Sequence, residues 1–399
     1  MFERIINTDA SFWRDEVLVG ELSHKEENSR SNHGYFFIDE KSNRKFNPFR
    51  GPGGKIKTMI SFGLIGYGKI GERHADHIHA HPGANLQGVY DIKNDRLNLF
   101  RNKFKGIRTH DSLQSIMADP DIDIISVCTP NVTHADIAIA AMKAGKHVLV
   151  EKPMAISKVD CEGMIHIALK TGKSLFVVKQ NRFNPPVQAV KKLMEEKKLG
   201  RIFSVAVNCY WNRNDWYYKS SDWKGKKALD GGTLFTQFSH FIDVIYYLMG
   251  DMQILHASMA NVNHKGLIEF EDTGVVSFLL KEYNAPGVLH YTTAAFQKNM
   301  EGSITIFAEN ATIKIGGKYL NTIEYQATNG FDITGLPPGN QPNSYGDYEG
   351  SMSNHDKVID NVIESLHGRV EIMTNAYDGL KTVEIIENIY HIAVNNGSF

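Results

Sequence analysis

The chain has 399 residues, 42 % of them hydrophobic and 22 % charged, which lies within the ordinary range of soluble globular proteins and allows two or three domains. Its 44 basic and 45 acidic side chains nearly cancel, which excludes the strong field of a protein held on nucleic acid or an anionic membrane and leaves a small molecule as the expected partner. No apolar run approaches the ~20 residues that span a bilayer, no leader-like start is present, and Cys128, Cys161 and Cys209 are too scattered for zinc or a disulfide framework, so a cytoplasmic setting is expected.

Between Glu21 and Arg50, Ser, Asn, Lys, Glu and Arg dominate, and residues 1–58 read as a loosely ordered N-terminal extension. From Met59 onward, strands are expected over 60–65, 86–90, 122–128, 147–150 and 174–178, with helices over 134–144 and 158–171 between them. Strands that alternate with helices imply a parallel sheet wound on both faces, an α/β domain over 59–182. Residues 183–375 change character: strands at 202–211, 275–280, 288–293, 304–308 and 312–315 are joined by turns, which predicts an α+β domain with an open, mainly antiparallel sheet. In the first of these, alternation puts Phe203, Val205, Val207, Cys209 and Trp211 on one face. The closing segment 376–399 holds a helix over 376–394, whose Leu380, Val383, Ile386, Ile389 and Ile392 are expected to pack back on the first domain. A broad apolar sheet face is seldom left in water, so a homodimer or homotetramer is expected.

The first strand runs into Gly66-Tyr67-Gly68-Lys69-Ile70-Gly71 and then a helix, the context in which a Gly-x-Gly-x-x-Gly segment binds a dinucleotide. Gly66 permits the tight turn, Gly68 lets the backbone approach a pyrophosphate, Gly71 lets helix and strand pack closely, and the helix N-terminus faces the phosphates. Asp91 falls 20 residues after Gly71, where a carboxylate accepts from ribose hydroxyls and repels a 2′-phosphate. This Rossmann pattern predicts NAD as cofactor, with NADP less favoured although Lys93 and Arg96 lie close by. Two further segments follow strand ends, where open α/β sheets bind ligands: Thr129-Pro130-Asn131 with His134, and Glu151-Lys152-Pro153. At the second, a lysine ammonium can favour the alkoxide character that hydride loss requires. After Gly231-Gly232, residues Thr236, His240 and Asp243 fall at i, i+4 and i+7, one face of a helix, and His240 is suited to act as a base near neutral pH.

Together with Asp378-Gly379-Leu380 and Val383-Glu384, these segments resemble the glucose-fructose oxidoreductase / inositol dehydrogenase / MocA family over about residues 59–397. The resemblance implies reversible hydride transfer between a sugar or cyclitol carbinol and the nicotinamide, with Lys152 and His240 carrying the proton chemistry and Thr236 orienting the substrate. It assigns the cofactor to Gly66 through Gly71, Asp91, Thr129, Pro130, Asn131, His134, Glu151, Lys152 and Gln180. One departure stands out: the family places Asp or Asn where this chain has Thr236, with Gln237 beside it.

The aromatic and basic stretch 211–225 resembles the branch that oxidises UDP-N-acetylglucosaminuronate at the 3-position in surface-polysaccharide synthesis. That likeness points to Arg182, Arg213, Tyr218, Trp223, Lys224, Gln237, His240 and His355 at the substrate. An inositol or simple sugar dehydrogenase is the alternative within the family, and a non-catalytic NAD-binding regulator is the alternative outside enzymes. No metal is expected: His74, His77, His79 and His81 crowd one helix but read as a solvated or subunit-facing surface, with only Asp76 as an evident acidic partner. The lysines of 191–198, interrupted by Glu195 and Glu196, read as a solvated helix face.

Overall fold

The computed structural model describes residues 57–346 and 348–398; all but the last two residues of the expected extension lie outside them. The first sheet holds β1 (Ile60–Ile65), β2 (Ala84–Tyr90), β3 (Arg108–Thr109), β4 (Ile124–Val127), β5 (His147–Val150) and β6 (Leu175–Val177). Its order is β3-β2-β1-β4-β5-β6, every pair parallel. β1, β4 and β5 are buried along their whole length, because helices cover both faces of a parallel sheet. The helices between them carry local stop and start signals. Lys158–Thr171, for example, is capped by Ser157, whose hydroxyl accepts from Asp160 N, and ends on Gly172 in the left-handed region.

The second sheet joins β7 (Ile202–Tyr210), β8 (Met252–Ala260), β9 (Thr273–Leu280), β10 (Ala285–Thr292), β11 (Glu301–Ala308), β12 (Ala311–Gly316) and β13 (Thr322–Thr328) in the order β13-β12-β11-β7-β10-β9-β8. All its pairs are antiparallel except β7 with β10. Val205, Val207, Cys209 and Trp211 face the core, but Phe203 does not. The β7–β11 register shifts between Phe307 and Ala308, and this irregularity breaks the alternation, so Phe203 stands 46 % exposed against the Arg201 guanidinium. A two-stranded ribbon, β14 (Pro342–Ser344) and β15 (Glu349–Met352), follows.

The helix expected to carry Thr236, His240 and Asp243 on one continuous face is not a single α-helix. A π-turn over Leu234–Phe238 precedes the α-helix Ser239–Met249, and its wider turn changes the register between Thr236 and His240. The last helix, Ala376–Asn395, packs on Lys158–Thr171, on Ser239–Met249 and on β8, so it touches elements of both sheets.

Candidate active site

At the dinucleotide end Gly66 and Gly71 answer a steric demand. A Cβ on Gly66, whose φ is +93°, would lie 2.5 Å from Cys128 O, and one on Gly71 would lie 1.9 Å from Gly66 O. A Cβ on Gly68 would meet nothing nearer than the Arg96 guanidinium at 3.7 Å, so its open side is where a ligand can approach. Gly68 also begins the helix Lys69–Ala80 without any side-chain cap, leaving that helix N-terminus turned to a cavity of about 650 Å³ lined by Tyr67, Gly68, Lys69 and Arg96. Asp91 is held at the end of β2: Tyr67 N and Lys93 N donate to its two oxygens at 2.7 and 2.8 Å, and Arg96 reaches it at 3.2 Å. These residues fit a dinucleotide, with a cradle that a side chain would fill and a fixed carboxylate beside it. Ile70 is half-buried at the edge of this domain's core. The Lys69 ammonium donates to Tyr345 O and lies over the rings of Trp216, Tyr345 and Tyr348.

The strand ends converge on a second centre. Thr129 and Pro130 open the short turn Asn131–Thr133, where Thr133 Oγ1 donates to Pro130 O at 2.7 Å and lies at the same distance from the Thr129 hydroxyl, which can donate to it. Asn131 Nδ2 donates to Thr236 Oγ1 at 2.9 Å and to Asp230 O at 2.8 Å, tying this turn to the π-turn. Lys152 Nζ donates to Thr236 O at 2.7 Å, and burial brings its pKa down to about 8. His240 is 6 % exposed; burial, and then the charge of Lys152, hold its ring well below the usual imidazole range, so it is neutral. Its Nε2 lies 3.4 Å from Ser351 Oγ, which in turn accepts from Gln180 Nε2 at 2.9 Å.

Four of the expected site residues are held by other protein groups. Glu151, assigned to the cofactor, is 5 % exposed and faces His74 Nε2 at 2.9 Å and His355 Nε2 at 3.4 Å, while its second oxygen accepts from Lys152 N. Burial opposes its charge, but hydrogen bonds from His355 and His74 hold its carboxyl well below the ordinary range. His355, assigned to substrate, is therefore part of this buried cluster at 1 % exposure. His134 is buried with Nδ1 2.8 Å from Pro153 O and Nε2 2.9 Å from Thr129 O, and its one N–H in the neutral form that burial favours donates to one of these carbonyls. Arg182 also has no free face for a substrate. Its guanidinium donates to both oxygens of Asp243, to Asp378 and to Met373 O, a buried ion network that anchors the last helix.

His74 overturns the surface reading of the histidine-rich helix. It is fully buried and bonded to Ser126 Oγ and Glu151; burial works against its charge, yet Cys128 and Glu151 raise its pKa to about 10. His74, Glu151 and His355 bring ligand-type atoms within 4.8 Å of one another, but the 2.9 Å contact is that of a proton-bridged ion pair.

Beside Thr236 and Gln237, the loop after β7 forms a cationic and aromatic wall. Arg213, 2 % exposed, donates through Nε to Gln237 Oε1 at 2.6 Å and lies 5.1–5.4 Å from the rings of Trp211, Tyr217 and Tyr348. Gln237 Nε2 donates to Tyr217 OH at 2.6 Å. The Lys224 ammonium sits 3.9 Å from the Tyr217 ring, and burial, then Arg213, lower its pKa to about 8. Tyr218 packs edge-on to Tyr217 and His264, and Trp223 is half-buried. Sequence reasoning did not single out Asp230, Tyr348 and Ser351, and took Tyr217 only as part of the stretch 211–225. Asp230, immediately before the glycine pair, carried a positional signal; Tyr348 and Ser351 lie in a stretch with no motif.

Residues 60–179 match the oxidoreductase family with an NAD-binding Rossmann fold, and residues 187–314 match the GFO/IDH/MocA C-terminal domain. The WlbA dehydrogenase of Bordetella pertussis, solved in complex with NADH and UDP-GlcNAcA, is similar at a TM-score of 0.76 and 33 % identity, covering 85 % of this chain and 97 % of that one. WlbA from Chromobacterium violaceum, with the same two ligands, gives 0.76 and 33 %, covering 88 % and 96 %. Among curated relatives, 2,7-anhydro-N-acetylneuraminate hydratase of Escherichia coli is 31 % identical over 211 residues, 52 % of this chain and 55 % of the relative. Myo-inositol 2-dehydrogenase of Thermotoga maritima is 28 % identical over 192 residues, 48 % and 55 %. The chain thus spans just over half the length of these curated relatives. With a dinucleotide cradle, both domain matches and the likeness to WlbA in place, the chain belongs to the GFO/IDH/MocA oxidoreductase family and carries its NAD-binding Rossmann domain.

Proposed function

We propose that this protein oxidises a secondary alcohol of a UDP-linked sugar acid, in the manner of a 3-dehydrogenase of polysaccharide synthesis, with NAD as hydride acceptor. The observation that carries this reading is the wall of Arg213, Lys224, Tyr217 and Tyr348 next to Lys152 and His240: cations for a carboxylate or diphosphate, and aromatic faces for a sugar or base. Similarity to enzymes solved with NADH and UDP-GlcNAcA supports it. Gly66 through Gly71 and Asp91 would hold the cofactor, which supplies the hydride acceptor when bound. The neutral ring of His240 takes the hydroxyl proton. The Lys152 ammonium, steadied on Thr236 O, stabilises the developing alkoxide. No helix among the described residues is long and apolar enough to cross a membrane, and a cytoplasmic enzyme assembled from two or four copies is part of this reading.

The test is incubation with UDP-N-acetylglucosaminuronate and NAD, with a 2-oxo acid to reoxidise any retained cofactor, and mass analysis of the sugar. A product two hydrogens lighter is expected. Turnover of free inositol or sugars but not of the nucleotide-linked acid would replace this reading with a simple sugar dehydrogenase. NAD binding without turnover of any alcohol would favour a regulator.

A further inference from the structure

Thr236 is half-buried at the reaction centre, and its hydroxyl is engaged on two sides. Its Oγ1 donates to Oδ1 of Asp230, with Asp230 O a more distant acceptor at 3.3 Å, and accepts from Asn131 Nδ2 at 2.9 Å. Asp230 is 1 % exposed, and its other oxygen accepts from Gly225 N at 2.8 Å, so the carboxylate is fixed at both ends. A hydroxyl has one proton and two lone pairs. With the proton committed to Asp230 and one lone pair to Asn131, only a lone pair remains for a ligand.

We propose that Asp230 is a positioning residue of this site: acting through Thr236, it makes that hydroxyl a hydrogen-bond acceptor for an alcohol O–H of the substrate. The proposal rests on the alcohol-oxidation reading above. A threonine backed by a buried carboxylate thereby does what an acid or amide on the helix itself would do. The groups facing Asp230 are the cations Lys152 and Lys224 and the phenols Tyr217, Tyr218 and Tyr390, besides Thr236 and the Gly225 amide. Burial raises its pKa to about 6. Above that value the ionised carboxylate can only accept, and Thr236 stays turned as described. Below it the acid can donate to Thr236, whose own proton is then free to turn toward the substrate and oppose the productive pose.

The experiment uses the full chain and its Asp230→Asn, Thr236→Ser and Thr236→Val variants. Steady-state kinetics against pH are measured on whichever alcohol the wild type oxidises. Aspartate carboxyl ¹³C NMR is recorded without cofactor. Asp230→Asn should raise KM about tenfold, change kcat less, and abolish an acid limb near pH 6. Thr236→Val should reproduce it, the double variant should be no worse than either, and Thr236→Ser should restore the wild-type profile. The Asp230 resonance should titrate near 6 and move upward in Thr236→Val, because the lost hydrogen bond favoured the ionised form. An unchanged KM and acid limb in Asp230→Asn, or an Asp230 signal in the ordinary carboxylate range that ignores Thr236→Val, overturns the proposal. If the wild type oxidises no alcohol, the functional reading fails and the NMR titration alone decides the role of Asp230.

Discussion

Lys152 spends one ammonium proton on Thr236 O and has no salt bridge among the described residues, so its remaining N–H groups can turn to a substrate oxygen. With a pKa near 8 it is charged at neutral pH and loses its proton as the pH rises through that value. kcat/KM for alcohol oxidation should therefore fall above about pH 8. Lys152→Met should lower kcat by about 10²–10⁴-fold while leaving NAD affinity nearly unchanged. A wild-type profile that stays level from neutral to strongly alkaline pH would remove the ammonium from the mechanism. At this scale, what could be read in advance was whatever chain neighbours decide. Gly66, Gly68 and Gly71 answer to a turn and a helix start within a few residues of themselves. The ion pairs of Arg182, Glu151 and His355 were not legible because their partners are remote: Arg182 meets Asp243 at a separation of 61 residues, and Glu151 meets His74 at 77. No local pattern marks which of two charged residues will be consumed by an ion pair.

The π-turn and the last helix are bound together by a buried acid. Glu271 is fully buried, and its Oε1 accepts from Tyr390 OH at 2.7 Å and Tyr291 OH at 3.1 Å. Tyr390 OH also accepts from Leu234 N and stands where a Cβ on Gly232 would be, at 2.2 Å, so the glycine admits this tyrosine under the π-turn. Burial raises the Glu271 pKa from 4.5 to about 7. The folded state therefore binds a proton that the unfolded chain gives up at lower pH. The stability linked to it is fully present below pH 4.5 and is lost as pH rises through about 7. The gap corresponds to about 3 kcal/mol. Glu271→Gln keeps the acceptor for both phenols and removes the ionisation, so its denaturant midpoint should exceed that of wild type at pH 8 and converge with it near pH 5. A variant less stable at both pH values would show that the carboxyl is held for another reason. Elements of this kind were only half legible: a helix carrying His240 and Asp243 was expected from the i, i+4, i+7 spacing, whereas nothing in that spacing separates a π-turn from an α-turn.

Across the whole molecule, the second sheet has one face on the core and one turned away from it. Alternation along β7 foretold the sheet and, Phe203 apart, its buried side, because an antiparallel strand with one dry face must alternate. On the outer face, Val275, Val288, Phe307 and Tyr325 are 43 %, 37 %, 40 % and 54 % exposed, from four different strands. They are interleaved with small and polar residues: Val288 pairs with Ala206 on β7 and with Ser277 on β9, and Phe307 pairs with Ser204. A flat face of this composition, seven strands wide, matches what a second copy of the chain would cover at the ~800 Å² per partner of a stable interface. Light scattering at micromolar concentration should then give a mass of two or four chains. Val288→Arg, which puts a charge at the centre of the sheet face and leaves the dinucleotide cradle untouched, should reduce that mass to one chain with NAD binding retained. A monomeric wild type, or an oligomer indifferent to Val288→Arg, would mean that this face is left to water or that another surface joins the copies.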